Sequence, residues 1–76
     1  GHDAVIGDYC SLLWNVNVYG NVILGEGVMM GSGSTVIQNL TIGERTTVGA
    51  GAAVIRDLPS DCTAVGVPAR VIKVSA

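Results

Sequence analysis

Leu24-Gly25-Glu26-Gly27-Val28-Met29-Met30-Gly31-Ser32-Gly33-Ser34-Thr35-Val36 decides the fold. Within it an apolar unbranched or branched chain recurs every sixth residue at Leu24, Met30 and Val36, and a small or apolar residue stands four places on at Val28 and Ser34. Extended both ways, the step of six collects Ile6, Leu12, Val18, Leu24, Met30, Val36, Ile42, Val48 and Val54, all of them apolar. The offset register runs Cys10, Val16, Val22, Val28, Ser34, Leu40, Thr46, Ala52 and Leu58, without a charge. A helix repeats its apolar residues at three and four, and a half-buried strand alternates them, so a strict six fits neither. It fits short strands joined by regular corners. Gly7, Gly25, Gly31, Gly43 and Gly49 each follow a first-register residue. Turns at positive φ are expected there, since glycine adopts them without a Cβ clash.

Three hexads close one triangular coil. The Gly-acid hexads Ile6-Gly7-Asp8, Leu24-Gly25-Glu26 and Ile42-Gly43-Glu44 recur at eighteen, which sets coils over 6–23, 24–41 and 42–59. The fold class is therefore all-β, a parallel β-helix of about three 18-residue coils in which residues eighteen apart stack at ~4.8 Å. Arg56-Asp57-Leu58-Pro59-Ser60-Asp61 breaks the rhythm with Pro and polar residues. Beyond it, 63–67 and 69–74 read as extended segments that cap the open edges of the last coil. The expected division is a β-helix over 1–59 and a C-terminal loop and extended cap over 60–76.

Outward columns follow from the same step. His2, Gly20, Gln38 and Arg56 form one, and Tyr19, Ile37 and Ile55 form an apolar stripe. Trp14 heads a column continued by Ser32 and Ala50, while Asp8, Glu26 and Glu44 stack as carboxylates read as a solvated face.

In a chain of 76 residues one small core is near the limit of independent stability. Charged residues are 13%, about half the usual share of roughly 25%, so part of the surface is expected to be covered by other subunits. The net charge of −2 provides no basic face for nucleic acid, and no apolar run reaches the ~20 residues that span a bilayer. With no secretory signal visible, a cytoplasmic location is expected, with Cys10 and Cys62 as reduced, buried thiols. A single His excludes a three-His zinc site, so no metal is expected.

His2-Asp3-Ala4-Val5-Ile6-Gly7-Asp8, Gly20-Asn21-Val22, Val48-Gly49-Ala50-Gly51-Ala52 and Gly66-Val67-Pro68-Ala69-Arg70 carry a resemblance. The chain resembles the hexapeptide-repeat acyltransferases, and within them the branch that acetylates sugars through oxygen or nitrogen, sialic acid O-acetyltransferases among them. The resemblance covers nearly the whole chain and reads as the C-terminal part of such an enzyme. It implies a left-handed β-helix, against the usual right-handed crossover, a homotrimer with active sites between subunits, and acetyl-CoA as acyl donor. The apolar stripe is where the subunit contact is expected.

By the same resemblance His2 is the general base, Asp3 orients its ring, and a backbone N–H at Gly20 faces the developing oxyanion. Gly1-His2 also matches a cleaved-tag remnant, and Asp3 a solvated terminal acid. The pantetheine arm is expected along Gly31, Ser32, Gly49, Ala50 and Gly51, where small residues let it approach the backbone. Pro68 and Arg70 are placed near the adenine and its phosphates. Ser11 joins this cofactor-binding set, although it stands where the branch often has a second His. The acceptor is expected to be a small sugar or amino sugar. The alternative reading is a structural β-helix trimer that retains CoA binding without turnover.

Overall fold

The structure, a computed structural model, describes residues 4–74. His2 and Asp3 lie outside the described residues. Nine two-residue strands open the chain: β1 (Val5–Ile6), β2 (Ser11–Leu12), β3 (Asn17–Val18), β4 (Ile23–Leu24), β5 (Met29–Met30), β6 (Thr35–Val36), β7 (Thr41–Ile42), β8 (Thr47–Val48) and β9 (Ala53–Val54). They start every sixth residue, as the hexad requires. Two longer strands follow, β10 (Cys62–Val65) and β11 (Arg70–Val74).

The strands stack into three flat faces. One holds β1, β4 and β7, the second β2, β5, β8, β10 and β11, and the third β3, β6 and β9. Every pairing among the nine short strands is parallel and in register at eighteen, as in Val5↔Ile23, Ser11↔Met29 and Asn17↔Thr35. The backbone ladder continues round the corners, where Gly27 N–H donates to Asp8 O at 2.8 Å and Arg45 N–H to Glu26 O at 2.8 Å. Strands this short are stable only because each coil hydrogen-bonds the next along its whole length.

Both registers point inward. Leu24, Met30, Val36, Ile42, Val48 and Val54 from the first, with Val22, Val28 and Ala52 from the second, form one continuous buried core. Its two buried polar residues are satisfied: Ser34 Oγ donates to Gly31 O at 2.6 Å, and Thr46 Oγ1 donates to Pro59 O. Cys62 is buried beside Thr46, and Cys10 is half-buried with its Sγ donating to Gly25 O.

The corner glycines differ from expectation. Positive φ falls three residues after each first-register position from Ile6 to Val48, at Tyr9, Asn15, Asn21, Gly27, Gly33, Asn39, Arg45 and Gly51. Gly7, Gly25, Gly31, Gly43 and Gly49 do not adopt it. Their requirement is steric, because at the first four a Cβ would enter the backbone of the coil above: at Gly31 it would meet Ala50 N at 2.6 Å, and at Gly25 it would meet Glu44 N at 2.7 Å.

The last turn also departs from eighteen. Leu58 bridges Ile42, and Thr63 and Ala64 pair with Thr47 and Val48, so the step there is sixteen. The tightening takes two residues out of the corner after β9, in the segment where the rhythm breaks. Leu58 thus stacks on the first register over Ile42 rather than in the offset register, and Cys62 takes the place over Thr46. An exposed ion pair spans this turn, with Arg45 Nε 2.6 Å from Asp61 Oδ1 and a second guanidinium nitrogen 3.0 Å from Oδ2.

β11 pairs antiparallel with β10, which in turn lies parallel on β8. All three faces are closed at this end: the first by Leu58 over Ile42, the second by β10, and the third by the turn over 66–69.

Candidate functional site

The turn over 66–69 builds the site. Gly66 at φ 98° lets the chain leave β10 and double back, a conformation other residues rarely take. Ala53 N–H then donates to Gly66 O at 3.0 Å, and Ala69 N–H donates to Ala53 O at 2.8 Å. Gly66-Val67-Pro68-Ala69-Arg70 is therefore a clip, closed by hydrogen bonds to one residue of β9. It carries Pro68 and Arg70 over the end of β9, where the chain emerges through Ile55 and Arg56. Ile55, Arg56, Pro68, Ala69 and Arg70 enclose a cleft of about 390 Å³.

The cleft is electropositive with apolar walls. Among the described residues the side-chain ion pairs are made by Arg45, to Glu44 at 3.6 Å and Asp61 at 2.6 Å. Arg56 and Arg70 have no such partner. The adjacent Asp57 is occupied elsewhere, its Oδ1 accepting Thr41 N–H at 2.8 Å.

Arg56 belongs to the expected column with Gln38 and Gly20, at the corner that follows β9, β6 and β3. Gly20 is half-buried there, and its carbonyl accepts Asn39 N–H at 3.1 Å. The glycine row sits at a different edge of the same face, the corner following β5 and β8. Gly31 N–H donates to Val48 O at 2.8 Å and Gly51 N–H to Ser32 O at 2.8 Å, which stacks Gly31 and Ser32 directly under Gly49, Ala50 and Gly51. Ser11 is exposed at the start of β2, in column with Met29, Thr47 and Thr63 on the second face.

The expected residues that the structure describes thus fall into four places rather than one, with Ser11 apart on the second face. Pro68 and Arg70 share a cleft, the Gly20 column runs down the corner beside it, and the glycine row lies across the third face. A second, more open cleft of about 380 Å³ is lined by Leu12, Leu13, Trp14 and Asn15. Trp14 in it is largely exposed, in the column of Ser32 and Ala50. Asp8, Glu26 and Glu44 are exposed, with Arg45 beside Glu44. Among the described residues no three His, Cys, Asp or Glu side chains are grouped to hold a metal.

Sequence reasoning missed Ile55, Arg56 and Ala69 as cleft residues. Position in the outward column pointed to Arg56. Nothing periodic pointed to its meeting the clip, since the clip lies beyond the repeat.

Hexads stacked at eighteen into three parallel faces, with a Gly-Val-Pro-Ala-Arg clip closing the last turn, define a hexapeptide-repeat β-helix, and the chain's homologues are serine acetyltransferases and sugar N-acetyltransferases of the hexapeptide-repeat family. It is 42% identical over 80 residues to the serine acetyltransferase of Synechococcus elongatus, covering 95% of this chain and 33% of that protein. Among solved structures, the serine acetyltransferase of Neisseria gonorrhoeae matches 100% of this chain and 33% of its own at 34% identity, with a TM-score of 0.94. A His→Ala variant of the GDP-perosamine N-acetyl transferase of Caulobacter crescentus, in complex with CoA and GDP-perosamine, matches at 43% identity and TM-score 0.90. That match covers 91% of this chain and 33% of the other. No family model matches the chain. The helix matches the left-handed β-helices of the family. The chain spans about a third of the length of these relatives, which include enzymes named for an amino acid, an acceptor class outside the sugar branch expected from the sequence.

Proposed function

We propose that this chain is the β-helical part of a CoA-dependent acyltransferase that moves an acyl group, acetyl in the simplest case, to a hydroxyl or amine of a small acceptor. The observation that carries the reading is the cleft under the clip: two arginines without carboxylate partners among the described residues, in a fold whose relatives include an enzyme solved with CoA bound. An amino sugar is the acceptor class supported by the perosamine enzyme, and serine by the serine acetyltransferases.

In the reaction the acceptor oxygen or nitrogen attacks the thioester carbonyl carbon, the C–S bond breaks, and the CoA thiolate leaves. His2 takes the proton lost by the acceptor and Asp3 holds the ring, while a backbone N–H at Gly20 stabilises the oxyanion. The thiolate recovers a proton on release. No covalent enzyme intermediate is needed. The glycine row and the clip lie at different edges of one face, and a homotrimer in a cytoplasmic setting accounts for this: the row of one copy is set against the cleft of the next, with acetyl-CoA between them.

Calorimetric titration with acetyl-CoA tests the reading. Saturable binding near one equivalent per chain is expected, together with turnover on an amino-sugar or serine acceptor that His2→Ala abolishes without loss of binding. Full turnover by His2→Ala overturns the base assignment. No binding at all overturns the enzyme reading in favour of a bare scaffold.

A further inference from the structure

We propose that Trp14 is the platform on which the acceptor ring stacks, so that the acceptor is a pyranose sugar without a carboxylate rather than an amino acid; this rests on the acyltransferase reading above. The chain has three aromatic residues, Tyr9, Trp14 and Tyr19. All three stand on the first described coil, 85%, 82% and 48% exposed, and none enters the core. Trp14 lies in the open cleft of about 380 Å³ with Leu12, Leu13 and Asn15. The backbone there is fixed on both sides: Leu13 N–H donates to Met30 O at 3.1 Å, Trp14 O accepts Gly33 N–H at 2.7 Å, and Asn17 N–H donates to Ser34 O at 3.0 Å. Above Trp14 in its column come only Ser32 and Ala50, whose side chains are too short to cover an indole. The indole is thus carried on a rigid corner with its surface free, an exposure that gains nothing for folding and marks a contact site.

Its place relative to the chemistry follows from the coil. Trp14 and Gly20 are six residues apart at the two edges of the third face, with β3 between them. In a closed trimer whose helix axes lie parallel to the three-fold, equivalent coils stand at equal height. Setting the glycine row of one copy against the Arg56 column of the next therefore brings Trp14 of the first level with Gly20 of the second, where the thioester is attacked. The apolar C–H face of a pyranose packs on an aromatic face there, with its hydroxyls left free to hydrogen-bond. Charge separates the two acceptor classes. Serine carries a carboxylate, which a closed site holds with a cationic donor. No Lys or Arg precedes Arg45 in the sequence, and Arg56, in the Gly20 column, is two coils up, roughly 10 Å away at the spacing of parallel strands. Asp8 is the one charged side chain among the described residues of the first coil, and it repels a carboxylate.

Trp14 is the only Trp of the chain, so its fluorescence reports the platform directly. With the full chain saturated in CoA, titration with the methyl glycosides of glucosamine, galactosamine and mannosamine is expected to change the Trp14 emission saturably for at least one of them, and L-serine is expected to leave it unchanged. With acetyl-CoA and that sugar, Trp14→Ala is expected to raise KM about tenfold, the equivalent of roughly 1.4 kcal/mol of stacking, and by more than it lowers kcat. Trp14→Phe recovers most of that loss. CoA affinity by calorimetry and mass by light scattering should be the same for Trp14→Ala as for the parent. A response to serine and to none of the sugars overturns the platform, and so does silence toward every acceptor from a chain that binds CoA; the acyltransferase reading stands in both cases. Trp14→Ala running as a monomer also overturns it and makes Trp14 a subunit contact. Failure of the parent to bind CoA overturns the acyltransferase reading and the platform with it.

Discussion

Gly31 and Gly33 stand two residues apart and are glycine for different physical reasons. Gly33 has φ +73°, and the nearest atom to an added Cβ is 3.9 Å away, so its constraint is backbone conformation alone. Asn15, Asn21, Asn39 and even Arg45 take the same conformation at equivalent corners, at a cost that Asn reduces by local hydrogen bonding. Gly31 has ordinary φ but no room, with Ala50 N 2.6 Å from where its Cβ would be. Gly31→Ala is therefore expected to cost about 1–3 kcal/mol, as overpacking does, while Gly33→Asn stays within about 0.5 kcal/mol of the parent, as surface changes do. Denaturant unfolding of both variants checks this. Equal midpoints would remove the close approach between coils as the reason for the glycine column.

The turn that closes the helix is two residues shorter than the others, and the Arg45–Asp61 pair marks it. Hydrogen bonding from the Arg45 guanidinium holds the Asp61 carboxyl below its ordinary range, outweighing the opposing effect of desolvation. Asp61 in turn raises Arg45, first through that hydrogen bond and then through charge. A carboxyl depressed on folding contributes stability that is full above its unfolded value, near 3.9, and is lost as pH falls through the lower folded value. Arg45→Gln is thus expected to lower the urea midpoint slightly at pH 7, and the difference from the parent should shrink as acid takes the pH down through the lowered folded value of Asp61. Both groups are exposed, so added salt should shrink the difference as well. A gap that persists at low pH and high salt would mean that Arg45 acts through packing at its corner.

A solenoid covers each coil only from its two neighbours. Ile6 and Leu12, inward residues of the first described coil, are 47% and 40% exposed, whereas Leu24 and Met30 stacked on them are 1% and 0%. The sides pose a different question. Tyr19, Ile37 and Ile55 line up on the third face at 48%, 38% and 45% exposure. They form an apolar column beside the cleft, since Ile55 is also one of its walls. We propose that column as the contact of a homotrimer. Light scattering at micromolar concentration should give three times the chain mass, and Ile37→Asp, which puts a charge in the middle of the column, should give the monomer with its own fold kept. A parent chain that runs as a monomer would leave the glycine row and the clip on separate edges and remove the shared site.

Most of the helix was readable from residue spacing alone. A constant step of six turns sequence separation directly into position, so the apolar registers at Leu24 and Val28, the stacking of Val5 on Ile23, and the outward stripe of Tyr19, Ile37 and Ile55 all followed from counting. Arithmetic fails where the step changes or where two segments meet outside the repeat. The positive-φ corners lie two residues from where the glycines suggested, because those glycines answer to contacts with the next coil, which local sequence does not contain. Leu58 settles over Ile42 because two residues drop out of one corner. Arg56 and Arg70 share a cleft because Gly66 and Ala69 hydrogen-bond to Ala53, thirteen and sixteen residues away, and no periodic pattern encodes a contact made once.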